Sequence, residues 1–283
     1  MTLRQALTTA ATQLAEDEHL RATASRDAEL LLLHVLEISR ATLLAYPDRE
    51  VPSDRRSRYQ SLIVRRLQHE PIQYIIGQQE FYGLNFHVTP AVLIPRPETE
   101  HLVEAVLKLL PSNQPLKIVD VGTGSGAIAI ALAVHLPHAA ITALDISPDA
   151  LAVAARNARE NNVADRIRFL PSDLLSAVLS GGEAFDAIVS NPPYIPETDR
   201  RSLHPQVRDH EPATALFAGE TGLDIYRRLV PRAHNVLQPD GLLALEIGHG
   251  QQGALAELLS GWQGVSFVVD LQGIPRVALA RRT

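Results

Sequence analysis

The chain contains no cysteine, which excludes disulfides, thiol catalysis and thiolate metal sites. Lysine is almost absent: Lys108 and Lys117 are the only two, and arginine supplies the rest of the 26 basic residues. That bias is one of genomic composition and carries no function. No apolar run approaches the ~20 residues needed to cross a bilayer. The first twenty residues carry Glu16, Asp17 and Glu18 and lack the basic-then-apolar order of a signal segment. Positive charge is also in short supply, with 32 acidic residues giving a net charge of −6. A general nucleic-acid binder, which needs a basic face to neutralise phosphates, is therefore disfavoured, although a local basic patch can survive an acidic average. What is present is ordinary for a soluble globular protein: 46% hydrophobic and 20% charged residues. At 283 residues the chain is long enough for one large or two unequal domains. The simplest expectation is a cytoplasmic protein with no membrane partner.

Residues 1–72 read as a helical domain. Leu and Ala are dense, strand signals are missing, and Ser25 is placed to cap a helix with Asp27 in its first turn. Tyr46-Pro47-Asp48 breaks the pattern and Val51-Pro52-Ser53-Asp54 restarts it. This stretch is neutral, so the acidity lies beyond it. Residues 73–92 read as a β-hairpin linker, with strand-like alternation in Tyr74-Ile75-Ile76-Gly77 and in Glu80 to Val88. Ile94-Pro95-Arg96-Pro97-Glu98 is a stiff extended segment, because each proline fixes its own φ and pushes its predecessor out of the helical region. Thr99 could cap a helix running to Leu110.

From Pro111 strands and helices alternate. Strands are expected at Ile118–Val121, Ala140–Leu144, Ile167–Leu170, Ala187–Ser190, Leu242–Ile247, Val265–Val269 and Arg276–Ala280, with helices at Ala127–Leu136 and Asp149–Asn161. That alternation predicts an α/β catalytic domain over residues 93–283, a Rossmann-like, mostly parallel sheet of seven strands covered on both faces. No internal repeat or low-complexity segment is present.

Asp120-Val121-Gly122-Thr123-Gly124-Ser125-Gly126 falls where the first strand turns into the first helix. Glycines there let the backbone approach a ligand and take conformations that a Cβ forbids. The string also satisfies the dinucleotide fingerprint, so it fits a nicotinamide cofactor as well as another nucleoside. Asp145, about twenty residues on, sits where a carboxylate accepts from ribose hydroxyls, or caps a helix before Pro148, a task Ser147 performs better. Asp173, in Leu170-Pro171-Ser172-Asp173-Leu174, could accept from an adenine amine with Leu174 packed on the ring.

Asn191-Pro192-Pro193-Tyr194 follows the fourth strand, at the carboxyl edge where open sheets bind ligands. An amide or aniline-type nitrogen has a delocalised lone pair and attacks a methyl donor poorly. Acceptors aimed at its N–H bonds orient the lone pair and favour the positive charge that develops on nitrogen. The Asn191 side-chain oxygen and the Pro192 carbonyl are two such acceptors, held in a turn that Pro193 stiffens. Tyr194 offers a flat face to a planar acceptor. Hydride transfer has no use for this string, which demotes a dehydrogenase.

Asp120–Gly126 together with Asn191-Pro192-Pro193-Tyr194 resembles the amino-methyltransferase branch of the class I methyltransferases. Leu93-Ile94-Pro95-Arg96-Pro97-Glu98-Thr99-Glu100 looks like the hallmark of one family in it, the release factor glutamine methyltransferases (HemK/PrmC). So do Pro71-Ile72-Gln73-Tyr74 with Gly77 and Phe81, Glu211-Pro212 with Ala215-Leu216, and Glu246-Ile247-Gly248. The similarity spans essentially the whole chain, with no departure at a motif position; the stretch before Arg21 and the Ser180-Gly181-Gly182 loop are unremarkable. The resemblance implies S-adenosyl-L-methionine as cofactor, held by Gly122, Thr123, Gly124, Ser125, Gly126, Asp145, Asp173, Leu174 and Asn191. It implies class I peptide chain release factors as partners and the glutamine of their Gly-Gly-Gln motif as substrate, its amide held by Asn191 and Pro192 beside Pro193 and Tyr194. It implies that the helical domain helps dock the release factor, and that Pro95-Arg96-Pro97 lines the methionine end of the cofactor.

Other readings stay open. One is a glutamine of a ribosomal protein as acceptor. Another is a nucleic-acid amine, which would need a base-flipping site and a basic groove. A third is a cofactor-binding scaffold without catalysis, against which the intact Asn191-Pro192-Pro193-Tyr194 argues. No metal is expected, since His135 and His138 bracket a proline without a carboxylate partner nearby in sequence. His249 reads as structural. Glu246 reads equally as a support for the active-site loop or as a strand end. Arg55, Arg56, Arg58, Arg65 and Arg66 read as a solvated helix face or part of a docking surface.

Overall fold

Leu- and Ala-rich sequence with apolar residues three and four apart gives the start of the chain its helices: Leu3–Ala15, Ala24–Leu36, Arg40–Ala45, Ser53–Leu67 and Ile72–Ile76. The computed structural model describes residues 1–179 and 181–283; Ser180, and with it part of the Ser180-Gly181-Gly182 loop, lies outside the described residues. These residues fall into two units, Met1–Gly77 with Ser202–His210, and Gln78–Arg201 with Glu211–Thr283.

In the first unit Thr2 and Gln5 form a reciprocal capping box. Leu14, Leu31, Leu32 and Ile63 make the centre of an apolar core. Within that core Arg66 donates to Asp27 at 2.8 Å, and Thr23 donates to the same carboxylate oxygen at 2.9 Å. Thr23, rather than Ser25, occupies the N-cap position, without a side-chain capping bond, and Ser25 lies inside the first turn of Ala24–Leu36. The arginine cluster is divided. Arg66 is buried, Arg65 pairs with Glu70 and Arg55 donates to the Val35 carbonyl, while Arg56 and Arg58 are exposed. Buried Tyr59 donates to the Ala28 carbonyl at 2.9 Å. Tyr59→Phe should lower the stability of the full chain by about 1 kcal/mol, seen as an earlier urea midpoint; an unchanged midpoint would show that the bond contributes nothing net.

Two features of this unit differ from the sequence reading. Tyr74-Ile75-Ile76 is helical, not strand-like. Pro71 starts the turn with its fixed φ, Gly77 ends it at φ 82°, and Ile75 is buried in the core. The segment Ser202–His210, read from sequence as part of the α/β domain, belongs here. His204 and His210 contact the carbonyls of His19 and Gln68 through ring nitrogens.

The second unit opens with a hairpin of β1 (Gln78–Phe81) and β2 (Leu84–His87), turned by Tyr82 and Gly83 at φ 52° and 75°. A seven-stranded sheet follows: β3 (Leu116–Val121), β4 (Ala139–Asp145), β5 (Ile167–Pro171), β6 (Phe185–Ser190), β7 (Leu237–Glu246), β8 (Gln263–Val269) and β9 (Pro275–Arg281). Their order is β5-β4-β3-β6-β7-β9-β8, parallel except where β9 runs against β7 and β8. Helices Glu100–Leu109 and Ala127–His135 cover one face, and Asp224–Val236 covers the other. From β3 the chain builds outward to β4 and β5, then returns to place β6 on the other side of β3. The crevice at the carboxyl ends of β3 and β6 is the switch point where open sheets hold ligands. Among the described residues no helix is long and apolar enough to cross a membrane.

Candidate active site

The glycine loop follows β3 directly. Gly122, Gly124 and Gly126 all have positive φ (73°, 55° and 83°), a sequence of left-handed residues that only glycine takes without strain. A Cβ on Gly122 or Gly124 would meet no protein atom, whereas one on Gly126 would stand 3.1 Å from the Ala154 methyl. The first two glycines thus keep space clear for a ligand, and the third lets two helices pack. Gly122 and Thr123 donate their N–H groups to the Leu144 carbonyl at the end of β4. Below the loop, Asp120 is fully buried and accepts from the Thr123 hydroxyl at 2.7 Å. Burial pushes its carboxyl up to about 7, and its second oxygen has no hydrogen-bond partner among the described residues.

Asp145 braces the loop from the next strand. One carboxylate oxygen accepts from the Gly124 N–H at 2.8 Å, the other from the Ser147 N–H at 2.9 Å, and the Ser147 hydroxyl caps the following helix. Each oxygen keeps a free lone pair for a ribose hydroxyl. Beside the loop lies a cavity of about 310 Å³, lined among others by Gly122, Gly124, Asp145, Leu174, Asn191 and Pro192. Its walls also include Pro193, Phe217 and the exposed apolar side chain of Ile146. Asp173 reaches the cavity paired to Arg228. Leu174 takes φ 54°, and its carbonyl accepts from Ser172.

Several residues assigned to the cofactor from sequence stand behind the cavity and not in its wall. Thr123 is turned to Asp120, buried Ser125 gives its carbonyl to Asn157, and Gly126 packs on Ala154. The Pro95-Arg96-Pro97 segment does not line it either; Ala91, Val92 and Leu93 do. Arg96 instead pairs with the buried carboxylate of Glu211, which also accepts from the Ile94 N–H at 3.2 Å. That contact anchors the extended segment beside Pro212, Thr214 and Ala215 of the wall.

The acceptor string begins where β6 ends, with the Ser190 hydroxyl donating to the Val121 carbonyl at 2.7 Å. Asn191 directs its side-chain NH2 away, donating to the Thr99 hydroxyl at 3.0 Å, which frees its oxygen. Tyr194 does not line the cavity. Its ring packs against the core under β7, its hydroxyl meets the buried Glu246 carboxylate at 3.3 Å, and burial pushes the phenol pKa upward. Gln251 clamps the turn, donating to the carbonyls of Tyr194 at 3.0 Å and Gly222 at 3.3 Å. Sequence reading missed Gln251, Arg228 and Phe217, and gave Thr99 a helix cap and a place in the family's hallmark segment but no role in the site. Nothing in their spacing marks them, since each reaches the site through the fold.

Gly222 sits tight in this clamp at φ 70°, and a Cβ there would fall 2.2 Å from the Tyr194 carbonyl. Gly222→Ala should displace the turn and lower kcat roughly tenfold or more, leaving cofactor affinity unchanged. Turnover near wild type would show that the turn tolerates the shift.

A glycine loop, a ribose carboxylate and an amide-terminated turn after the fourth strand now stand around one cavity. Comparison with known proteins agrees with that arrangement. The family description "PrmC N-terminal domain" matches residues 5–77 and "Methyltransferase small domain" matches residues 99–205. A release factor glutamine methyltransferase of Koribacter versatilis is 47% identical over 286 aligned residues, covering 100% of this chain and 99% of that one. The chain belongs to the release factor glutamine methyltransferases. Another member of the family, from Moorella thermoacetica, is 45% identical with the same coverage of both chains. A T. thermophilus 16S rRNA methyltransferase solved with AdoMet and guanosine shares the fold at a TM-score of 0.53 and 21% identity, over 73% of this chain and 50% of that one. The protein is accordingly a methyltransferase of the Rossmann-like class I fold, and use of S-adenosylmethionine is a general property of its family.

Proposed function

We propose that the protein methylates the side-chain amide nitrogen of the glutamine in the Gly-Gly-Gln motif of class I peptide chain release factors, with S-adenosyl-L-methionine as methyl donor. The observation that carries this reading is Asn191, at the end of β6 and in the wall of the cavity, with its NH2 engaged by Thr99 and its oxygen free. The names and identities of the relatives support the substrate.

The residues present suit the cofactor. Gly122 and Gly124 leave the space a nucleoside needs, and Asp145 keeps acceptor capacity for the ribose. Leu174 offers an apolar wall for the adenine, and Asp173, held by Arg228, an acceptor at its edge. When bound, the cofactor supplies a methyl group on a positively charged sulfur.

Activating the acceptor is the task of the chain. Asn191 and the Pro192 carbonyl accept from the two N–H bonds of the glutamine amide and turn its nitrogen lone pair toward the donor. As nitrogen gains positive charge those hydrogen bonds strengthen, so they stabilise the transition state more than the bound substrate. The buried core behind Pro192 and Tyr194 excludes water from this side of the amide. No side-chain base is needed, because an alkylated amide nitrogen releases its proton readily.

A transfer assay with methyl-labelled cofactor tests the reading. Purified release factor should take up label, and a variant whose Gly-Gly-Gln glutamine is changed should not. Label in the variant would remove the assigned acceptor. Label in a ribosomal protein or nucleic acid instead would transfer the activity to those substrates.

A further inference from the structure

The lone pair of an amide nitrogen stands perpendicular to the amide plane, so methyl transfer takes place at one face. Hydrogen bonds to the N–H groups hold only the edge of that plane and let it tilt. A site that aims the lone pair therefore needs a flat surface under the opposite face. The acceptor string offers Tyr194 for this, but the fold turns its ring into the core and its hydroxyl onto Glu246. Among the described residues the wall of the cavity holds a single aromatic side chain, Phe217.

Backbone pairing ties Phe217 to the acceptor string. Ile195, the residue after Tyr194, forms an isolated parallel bridge with it. The Ile195 N–H donates to the Leu216 carbonyl at 2.9 Å, and the Ala218 N–H donates to the Ile195 carbonyl at 3.0 Å. Phe217 is thus bracketed by two bonds to one residue, and the Glu197 N–H extends the pairing to the Gly219 carbonyl at 2.8 Å. The ring is also held from its other side. The half-buried Arg200 guanidinium stands over it, 3.9 Å from the centroid, steered by a 2.7 Å bond from its Nε to the Glu197 carboxylate. A cation seated on one face by the ring's quadrupole leaves the other face and the rim for the cavity.

Strand order decides which ligand the ring meets. The sheet runs β5-β4-β3-β6 across the site. Asp173 and Leu174 follow β5, Asp145 ends β4, the glycine loop follows β3 and the acceptor string follows β6. The adenine, ribose and acceptor positions are therefore laid out in that order along the carboxyl edge, and Phe217, paired to the string, stands at the acceptor end. We propose that Phe217, steadied by Arg200, is the platform on which the glutamine amide lies flat while Asn191 and the Pro192 carbonyl hold its edge. Phe217 is then a substrate-binding residue, and Arg200 a positioning residue that acts through it. The proposal rests on the amide-acceptor reading above.

Kinetics of Phe217→Leu, Arg200→Gln and the double variant test it, beside cofactor affinity by calorimetry. Leucine keeps the apolar bulk and loses the plane, so Phe217→Leu should lower kcat on release factor roughly tenfold to a hundredfold with cofactor affinity unchanged. Arg200→Gln should lower kcat roughly two- to fivefold, the equivalent of one exposed cation–π contact. In the Phe217→Leu background it should cost nothing further, because its effect passes through the ring. Wild-type kcat in Phe217→Leu, or weaker cofactor binding there with kcat at saturation unchanged, overturns the platform. Additive losses in the double variant overturn the role of Arg200. A second readout does not depend on turnover. Wild type loaded with S-adenosylhomocysteine is titrated with a blocked Gly-Gly-Gln peptide, and the Phe217 ring-proton resonances, recognised by their absence from Phe217→Leu, should shift. The peptide's side-chain NH2 protons should move upfield with wild type and not with Phe217→Leu. A ring that does not respond overturns the platform. A ring that responds in an enzyme transferring nothing to release factor supports the platform and sinks the substrate reading instead.

Discussion

Asn191→Ala should lower kcat for release factor methylation by roughly two to three orders of magnitude, the scale found when one preorganised hydrogen-bonding partner of a transition state is removed. An amide nitrogen is a poor nucleophile because its lone pair is shared with the carbonyl, so orienting acceptors supply much of the rate. Alanine removes the side-chain oxygen and leaves the Pro192 carbonyl, which explains why some activity should survive. The substitution should not weaken the cofactor much, since the glycine loop and Asp145 remain braced by their own bonds to Leu144 and Ser147. Affinity by calorimetry beside single-turnover rates separates the two effects. A variant that turns over near the wild-type rate would remove Asn191 from the chemistry.

Asp145→Ala should show the opposite pattern, with cofactor affinity about a hundredfold weaker and kcat at saturating cofactor close to wild type. Two hydrogen bonds from ribose hydroxyls to a carboxylate contribute at least about 3 kcal/mol together, and about 1.4 kcal/mol is a factor of ten in binding. Asp145 also holds the glycine loop through Gly124, so part of the loss is looser preorganisation. Asp145→Asn should recover little. The amide has one oxygen, and its NH2 must face a backbone N–H, that of Gly124 or of Ser147, where the carboxylate now accepts from both. Unchanged affinity in either variant, measured by calorimetry, would end the ribose assignment.

The parts legible in the sequence are those whose physics is local. Gly122, Gly124 and Gly126 announce a backbone that needs positive φ, and Asn191-Pro192-Pro193-Tyr194 announces a rigid turn by its prolines. The parallel strands are continuous apolar runs, and β3 to β6 were found within two residues at each end. Where the reading went wrong, long-range packing had prevailed over local pattern. Ile72–Ile76 is rich in residues that favour strands, yet becomes a helical turn because its neighbours in the first unit are helices that bury Ile75. Strand β7 begins at Leu237, five residues before the expected Leu242, because Leu237 pairs with Phe185 across a detour that Asp240 turns at φ 62°. Tyr194 was expected to face the acceptor and instead stands on Glu246. Thr99, 92 residues from Asn191 in the chain, could not be linked to it before the fold placed them 3.0 Å apart.

The most direct test of the central claim is to locate the transferred methyl group by fragmentation mass spectrometry of release factor treated with this enzyme and S-adenosylmethionine. The account predicts one methyl group per release factor, on the side-chain amide of the Gly-Gly-Gln glutamine, present with wild type and nearly absent with Asn191→Ala. A methyl group on any other residue, or the same yield from Asn191→Ala, would contradict it.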